Sequence, residues 1–464
     1  MLFVLVFSFL LSRPSIQTVI GAKVTSTLND SYNVGISVDQ IRISVFGKLE
    51  LTGVLIKDHH NDTLIAVSKL KTSLRKINTL LNNKLILGES ELYDGVFHMK
   101  TYSGEDTNNL TVFSRKFTKD KKLESKPFRL NTPSISLHGI NFDFIDLRKK
   151  KDSLVVFYNQ INGKTEDFVL NGSSVSINLK NVKFLDNHGL HVENLTTEFS
   201  YTNSQMLFGK TCLETQNSKI NADVVFNYTS EDLHDFNNKV QIEATVQDSD
   251  VSLIDLKKLY NEFGSNDLLK VSTKFKGTLN NFRLTHFDLN SGENFKIKGN
   301  YHFTDVVYRG DNFAMNGISE EITSDYQQLK ALLPNLIGRN LPSELSKIGT
   351  FSISGATLVK KTLLDIAIDV KSVMGIATVD LELTNIDNID EATYNGYVNV
   401  TDFELGKMVG DPLIGKLSFE GEVNGEGFKI ENVNTSLIGI VSKHQYKDYT
   451  YRDIRIDGVL RNKL

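Results

Sequence analysis

Apolar and polar residues alternate with a period of two along most of this chain, and this pattern restricts the possible folds more than any other feature. In the segment 294–303 the apolar positions include Phe295 and Ile297, with polar residues between them, and similar runs occupy 364–370 and 379–383. A period of two is typical of a β-strand with one apolar and one polar face. Many such strands with few helices between them predict a mostly β protein built on a large antiparallel sheet.

Composition excludes several classes of protein. The 464 residues include 52 Lys and Arg against 56 Asp and Glu, so no strong electrostatic field for nucleic acid is expected, and we predict no nucleic-acid partner. Only 6 prolines occur, which suits long strands. The single cysteine excludes an intramolecular disulfide, so the fold depends on packing and hydrogen bonds.

The N-terminus is an apolar run interrupted by Ser8. The run is shorter than the about 20 apolar residues that a membrane span needs. We therefore interpret it as the outer part of a signal anchor whose first residues are missing or misassigned. A buried core helix is the alternative. Helical spacing in Ser15–Asn29 predicts a continuation that docks on the first strands, so 1–30 is predicted as anchor and docking helix. The predicted anchor residues are Leu2, Phe3, Val4, Leu5, Val6, Phe7, Phe9 and Leu10.

Local patterns predict individual elements. Gly35–Val54 is typical of a hairpin, and Leu85–Met99 of two strands around a turn at Tyr93-Asp94-Gly95. The charge-rich segment Phe113–Pro127 is predicted as a loop. A change of parity at Gly139 indicates a β-bulge that keeps one face inward. A short helix is expected at Leu253–Tyr260.

One segment breaks the alternation. Ser319–Leu336 places five apolar or aromatic residues on one helical stripe, behind a Ser-Glu-Glu start that suits a helix N-terminus. Pro334 ends or kinks this predicted helix, and a second short turn is expected at Pro342–Lys347. The helical insert, 311–348, is expected either to plug a groove of the sheet or to cap its core.

A weak internal repeat links two parts of the second half of the chain. Asp267 with Phe275-Lys276-Gly277 resembles Asp411 with Phe419-Glu420-Gly421, and the offset is 144 residues for both the aspartate (411 − 267) and the final glycine (421 − 277). Repetition indicates a unit that cannot bury its apolar face alone. Because the sequence stops within a predicted strand, we expect a longer polypeptide.

Motifs for chemistry are scarce. Asp58-His59-His60-Asn61-Asp62 is the only dense cluster of metal-capable side chains. Neighbouring side chains in a tight turn are expected to diverge, and no partner cluster is evident, so no metal site is predicted. No Gly-x-Ser-x-Gly motif and no glycine-rich loop ahead of a helix occurs. We therefore predict no cofactor and no enzymatic activity.

Several segments resemble one known family. The apolar N-terminus, Pro14–Val19, the first hairpin and the stretch Leu51–Leu64 are similar to the opening of TamB-like proteins of the Bacteroidetes, within the broader AsmA-like group of translocation and assembly proteins. Phe419-Glu420-Gly421 lies in a unit that resembles the AsmA/TamB repeat. The resemblance covers essentially the whole chain, through short structural motifs.

The resemblance implies an elongated sheet curled into an apolar trough, the β-taco, anchored in the inner membrane with its bulk in the periplasm of a Gram-negative bacterium. It implies phospholipid transport toward the outer membrane and outer-membrane assembly. It also implies an outer-membrane barrel assembly partner that binds a C-terminal region, and we expect this region to be missing from this sequence. The implied divisions after the anchor are an N-terminal trough at 31–310, the helical insert, and a continuing, truncated trough repeat at 349–464.

Three hypotheses for function remain open. In the first, the trough holds phospholipid acyl chains, and the residues expected to contact them are Phe275, Phe295, Ile297, Ile366, Ile368, Val379, Leu381 and Phe419. Core packing against the helical insert or a second sheet is the alternative for these side chains. The second hypothesis is a scaffold that binds nascent outer-membrane strands by β-augmentation at sheet edges. The third is a secreted adhesin or structural β-protein.

Overall fold

The structure is a computed structural model and consists mostly of strands, 69%, with few helices. The mostly β fold is therefore confirmed. The chain divides into two compact units, Met1–His234 (unit 1) and Asp235–Leu464 (unit 2). The predicted divisions at 31–310, 311–348 and 349–464 stay predictions. The residues that the structure describes are 25–26, 29–30, 32–44, 47–73, 75, 84–116, 127, 129–148, 155–229, 231–259, 264–265, 267–292, 295–307, 312–332, 343–388, 391–427, 433–447 and 449–461.

The predicted anchor residues, from Leu2 to Leu10, lie outside the described residues. Within the described ranges, no helix combines the length and the apolar character that a membrane crossing needs.

Unit 1 contains eleven strands in an open mixed sheet. Neighbours pair antiparallel except at one place, where β5 and the short β4 both run parallel to β6. The predicted hairpin is confirmed, since β1 pairs antiparallel with β2. The strands are β1 (Gly35–Ile43), β2 (Lys48–Lys57), β3 (Thr63–Ser73), β4 (Lys84–Ile86), β5 (Ser90–Thr101), β6 (Arg129–Asp146), β7 (Val155–Asn171), β8 (Ser174–Asp186), β9 (His191–Tyr201), β10 (Gln205–Thr215) and β11 (Lys219–Asn227).

The parallel pair corrects three predictions. The sheet is not purely antiparallel, and the parallel pair requires a crossover between β5 and β6. This crossover contains helix α1 (Asn109–Lys116), so the predicted loop at Phe113–Pro127 is wrong at its start. The predicted turn at Tyr93-Asp94-Gly95 is also wrong, because β5 continues through it with Asp94 at a φ of +50°.

Unit 2 is a meander in which successive strands pair antiparallel, from β12 to β22. Both β23 and β24 pair with β22. The strands are β12 (Gln241–Ser252), β13 (Leu268–Gly277), β14 (Phe282–Ser291), β15 (Phe295–Thr304), β16 (Ala314–Ser324), β17 (Phe351–Lys360), β18 (Leu363–Ser372), β19 (Gly375–Thr384), β20 (Thr393–Phe403), β21 (Ile414–Glu426), β22 (Asn434–Tyr446), β23 (Tyr449–Tyr451) and β24 (Ile454–Arg461).

Short helices precede or separate the strands of unit 2. The predicted helix at Leu253–Tyr260 is confirmed by α3, which separates β12 from β13. The helices are α2 (Phe236–Lys239), α3 (Leu253–Leu259), α4 (Tyr326–Leu332) and α5 (Leu405–Val409), and 3₁₀ turns occur at Asp232–Asp235 and Ser343–Ile348.

The helix predicted from Ser319 does not begin there. Ala314–Ser324 is strand β16, hydrogen-bonded to β15 on one side and β17 on the other, and helix α4 follows it only at Tyr326. The register shifts between Ser319 and Ile322, which indicates a bulge. Because the bulge interrupts the period of two, the apolar residues of this segment fall at spacings that are typical of a helix.

Bulges recur, and side chains of neighbouring strands stabilise several of them. The predicted bulge at Gly139 is confirmed by its φ of +65° and by a register shift between Leu137 and Ile140. Two bulges of unit 2 share a similar hydrogen bond, but their residues do not follow the 144-residue offset of the predicted repeat, which stays a prediction. The amide of Asp248 donates to Ser272 Oγ at 3.1 Å, and the amide of Asp402 donates to Ser418 Oγ at 2.9 Å. Both aspartates have positive φ and precede a short helix, α3 or α5.

Candidate functional site

One face of the unit 2 sheet is apolar across eleven strands. In an antiparallel pair, residues directly opposite each other point to the same face, so consecutive pairs trace rows across the sheet. With strands about 4.8 Å apart, ten steps make a row about 48 Å long, measured along the sheet. The first row consists of Val271, Leu289, Ile297, Ile322, Ile353, Val370, Ala377, Val400, Phe419, Val441 and Ile454.

Two further rows lie on the same face, because on each strand, apart from the bulges, the second row is two positions and the third row four positions from the first. We call the three rows together the apolar face. The second row consists of Phe287, Gly299, Ser319, Gly355, Ile368, Val379, Val398, Gly421, Gly439 and Ile456. The third row consists of Phe275, Leu284, Tyr301, Gly317, Thr357, Ile366, Leu381, Gly396, Val423, Leu437 and Gly458.

All eight residues predicted to contact acyl chains lie on this side of the sheet. Seven belong to the rows of the apolar face, and Phe295 begins β15, two positions before Ile297. Phe295 and Phe419 are the two buried members, at 4% and 9% exposure. The other six side chains are half-buried. The structure thus brings the predicted residues onto one surface, and their role stays a prediction.

Half-burial at the centre of the face shows that side chains there retain contact with solvent. Ile366 and Ile368 on β18, and Val379 and Leu381 on β19, have apolar neighbours on either side yet stay half-buried. A face packed against a second layer would bury such central side chains almost completely. The described residues therefore supply no layer that closes over this part of the apolar face.

Phe419 has a local packing role. The glycines Gly421 and Gly439 lie opposite each other, and the ring of Phe419 occupies the space that their side chains would fill. A Cβ atom on Gly421 would lie 2.8 Å from Phe419 Cζ, and one on Gly439 would lie 2.9 Å from Phe419 Cε2. Phe419 therefore packs across a glycine pair, and it is less available to a ligand than its half-buried neighbours.

Tyr301 repeats this arrangement. Its ring covers Gly317, where a Cβ atom would lie 2.8 Å from Tyr301 Cε1. Its hydroxyl is 2.9 Å from Ser319 Oγ, so the two polar groups on this part of the face satisfy each other. Burial raises the pKa of Tyr301, which keeps the phenol neutral.

The opposite face of the sheet is polar and carries cross-strand ion pairs. Lys298 Nζ is 2.9 Å from Asp288 Oδ2, and Lys296 Nζ is 2.6 Å from Glu321 Oε2. The hydrogen bond from Lys296 lowers the pKa of Glu321, and the hydrogen bond to Asp288 raises the pKa of Lys298. The two faces therefore differ in polarity, as the period of two predicted, although Ile318, Ile438 and Ile440 are exposed on the opposite face.

A second group of side chains, in unit 1, was missed by the sequence analysis. His59 and His60 were expected to diverge, and that expectation is wrong. The Nε2 atoms of both imidazoles reach the carboxylate of Glu105, at 2.8 Å and 2.6 Å. Glu105 follows β5, whose partner β3 follows the turn with the two histidines, so the sheet brings together residues far apart in sequence.

Comparison of the chain with known protein families, with curated proteins and with solved structures returned no match.

Proposed function

We propose that the apolar face of unit 2 shields the acyl chains of phospholipids from water. The observation that carries the proposal is the unbroken first row of apolar side chains, most of them half-buried and accessible to a ligand. Each methylene moved from water into such surroundings contributes about 0.8 kcal/mol, so an acyl chain gains several kcal/mol by lying along the row. The headgroup stays in water.

The chemistry of the face favours a ligand without polar groups. The first row has no hydrogen-bonding side chain, and the second and third rows have only Tyr301, Ser319 and Thr357. The first two of these bond to each other. Backbone donors and acceptors of inner strands are used in pairing with neighbours. A polar ligand would therefore lose its hydrogen bonds to water and gain few in return.

The resemblance to TamB-like and AsmA-like proteins supports the same proposal. We extend it to a trough that curls around its lipid, an inner-membrane anchor at Leu2–Leu10, and a periplasmic location. Transport of phospholipid toward the outer membrane, with a barrel assembly protein as partner of a C-terminal region, completes the proposal. These points rest on the resemblance, and the apolar face is the feature of the structure that is consistent with them.

Site-specific photocrosslinking in cells tests the proposal. A photoreactive amino acid replaces Ile297, Ile368 or Val379 on the apolar face. Controls on the opposite face are Lys298 and Ala367, and Ala367 is the immediate neighbour of Ile368 and is exposed. We expect phospholipid adducts, identified by mass spectrometry, at the three apolar positions and background levels at both controls.

Other adducts would identify the alternatives. Crosslinks from the apolar positions to segments of this chain alone would mean that the face is a closed core. Crosslinks to other proteins in place of lipid would favour the scaffold hypothesis, in which client strands bind by β-augmentation. Equal lipid labelling at Ile368 and Ala367 would show only that the chain lies near a membrane. Each of these results contradicts the lipid proposal.

A further inference from the structure

Two imidazoles and a carboxylate converge at one end of the unit 1 sheet. The ligand atoms of His59, His60 and Glu105 all lie within 4.8 Å of one another. Both Nε2 atoms face the carboxylate, and the imidazole centroids are 4.5 Å apart. The group has an open side, since the side chain of His60 is 45% exposed. The donors are the types that zinc prefers, and they come from two separate turns.

Hydrogen bonds fix the turn that holds the two histidines. Asp58 Oδ1 accepts the amides of His60 at 2.9 Å and of Asp62 at 3.0 Å, which closes the turn between β2 and β3. Asp58 Oδ2 accepts from the Tyr102 hydroxyl at 2.7 Å and from Asn109 Nδ2 at 2.9 Å. Burial acts to raise the pKa of Asp58, but these hydrogen bonds outweigh it and hold the pKa below its ordinary value.

The turn that carries Glu105 is tied to the same network. The amide of Glu105 donates to the carbonyl oxygen of Tyr102 at 3.1 Å, across Gly104 with a φ of +83°. The Tyr102 ring lies 3.9 Å from the His60 ring, centroid to centroid. Tyr102 therefore contacts the Asp58 carboxylate, the imidazole of His60 and the Glu105 turn at once. The arrangement is held by supporting groups, as metal sites are.

We infer that His59, His60 and Glu105 form a zinc site that links the β2–β3 turn to the segment after β5. Two imidazole nitrogens and one carboxylate are a known zinc ligand set, with water as the fourth ligand on the exposed side. Zinc bonds of about 2.0–2.1 Å in a tetrahedron separate ligand atoms by about 3.3 Å. The contacts of 2.6–2.8 Å must therefore widen by about half an ångström, which surface side chains can do.

Zinc titration of the full chain, purified in detergent and followed by calorimetry, tests the inference. We expect one zinc ion per chain, with affinity reduced at least about 10- to 100-fold in His60→Asn and in Glu105→Gln. The matched control is His188→Asn. His188 lies in a similar turn, in which Asp186 accepts the amides of His188 and Leu190, but its turn has a single histidine.

Two further measurements distinguish a specific zinc site from nonspecific zinc binding by surface histidines. X-ray absorption of the zinc-loaded chain is expected to show two imidazole nitrogens at about 2.0–2.1 Å. Zinc is expected to raise the melting temperature of the wild type and of His188→Asn, and to leave that of His60→Asn unchanged. Equal weakening by His188→Asn, binding unaffected by Glu105→Gln, or absorption without imidazole ligands would each overturn the inference.

Discussion

Replacing Gly355 by alanine is expected to lower the free energy of unfolding of unit 2 by about 2–4 kcal/mol. Gly355 has a φ of +134°, where an L side chain is strained. Its Cβ would lie 2.7 Å from the Cα of Ile368 and closer still to the carbonyl oxygen of Ala367. Both obstacles are backbone atoms of β18, so β17 and β18 would have to separate. The lower chain entropy of alanine when unfolded offsets only about 0.4–1 kcal/mol.

Gly458→Ala is the matched control, because it changes the same residue type on the same face. A Cβ on Gly458 meets no atom within 4 Å, so we expect a change within about 0.5 kcal/mol. Denaturation with urea gives the shift in midpoint, and amide hydrogen exchange shows whether protection is lost in β17 and β18. Similar midpoints for the two variants would show that the pairing of β17 with β18 tolerates a side chain, against this prediction.

The same substitution links the fold to the proposed function. Gly355 lies in the second row of the apolar face, between Ser319 on β16 and Ile368 on β18. If β17 moves away from β18, Ile368 loses its neighbour on one side and the apolar face is interrupted. Lipid labelling at Ile368 is then expected to fall in Gly355→Ala and to persist in Gly458→Ala.

The faces of the strands in unit 2 could be predicted from sequence because the period of two is a local property. Ile366 and Ile368 share one face of β18, and Val379 and Leu381 share one face of β19, whichever strands are neighbours. The pairing of β18 with β19 places the two sets on the same side of the sheet. Two-residue connections set the register of β17 with β18 and of β18 with β19, whereas the connection from β16 to β17 is longer and contains α4. In a meander, strands that follow each other in the sequence are also neighbours in the sheet, so local sequence patterns predict much of the arrangement.

Elsewhere, the bulge in β16 and the parallel direction of β5 and β6 were not predicted from the sequence. In β16 an extra residue between Ser319 and Ile322 changes the parity, so the alternation reads as a helical stripe. Gly95 was taken as a turn glycine, but a Cβ there would lie 2.9 Å from Ile140 Cδ1 on the parallel strand β6. Because Gly95 has no side chain, β5 and β6 can pack closely at this point. No local sequence pattern indicates this packing.

Glu105 could not be assigned to the two histidines from sequence alone. It lies after β5, and only the pairing of β3 with β5 brings its turn beside His59 and His60. The expectation that adjacent histidines diverge is sound for an unsupported turn. Here Asp58 closes the turn and Tyr102 packs beside both rings, so the imidazoles point to the same side.

Asn109→Ala is expected to lower the free energy of unfolding of unit 1 by about 3 kcal/mol. Asn109 is fully buried, and its Nδ2 donates to Asp58 Oδ2 at 2.9 Å and to the carbonyl oxygen of His98 at 3.1 Å. Its Oδ1 accepts the amide of Lys100 at 2.9 Å. Alanine removes one of the two hydrogen bonds to Asp58 Oδ2, which keeps the Tyr102 hydroxyl, and it removes the Asn109 partner of the His98 carbonyl and the Lys100 amide in a place that water reaches poorly.

The neighbouring substitution Asn108→Ala separates this network from the helix that follows it. Asn108 Oδ1 accepts the amide of Thr111 at 2.8 Å and so caps helix α1, and its loss is expected to cost about 1 kcal/mol. Urea denaturation compares the two variants, and hydrogen exchange is expected to rise in 58–62 and 98–105 for Asn109→Ala alone. Because the Asp58 network also holds the proposed zinc ligands, zinc affinity should fall about 10- to 100-fold in Asn109→Ala and stay constant in Asn108→Ala. Equal loss of stability in the two variants would mean that Asn109 acts only through the helix, and that the turn with the two histidines is held by other contacts.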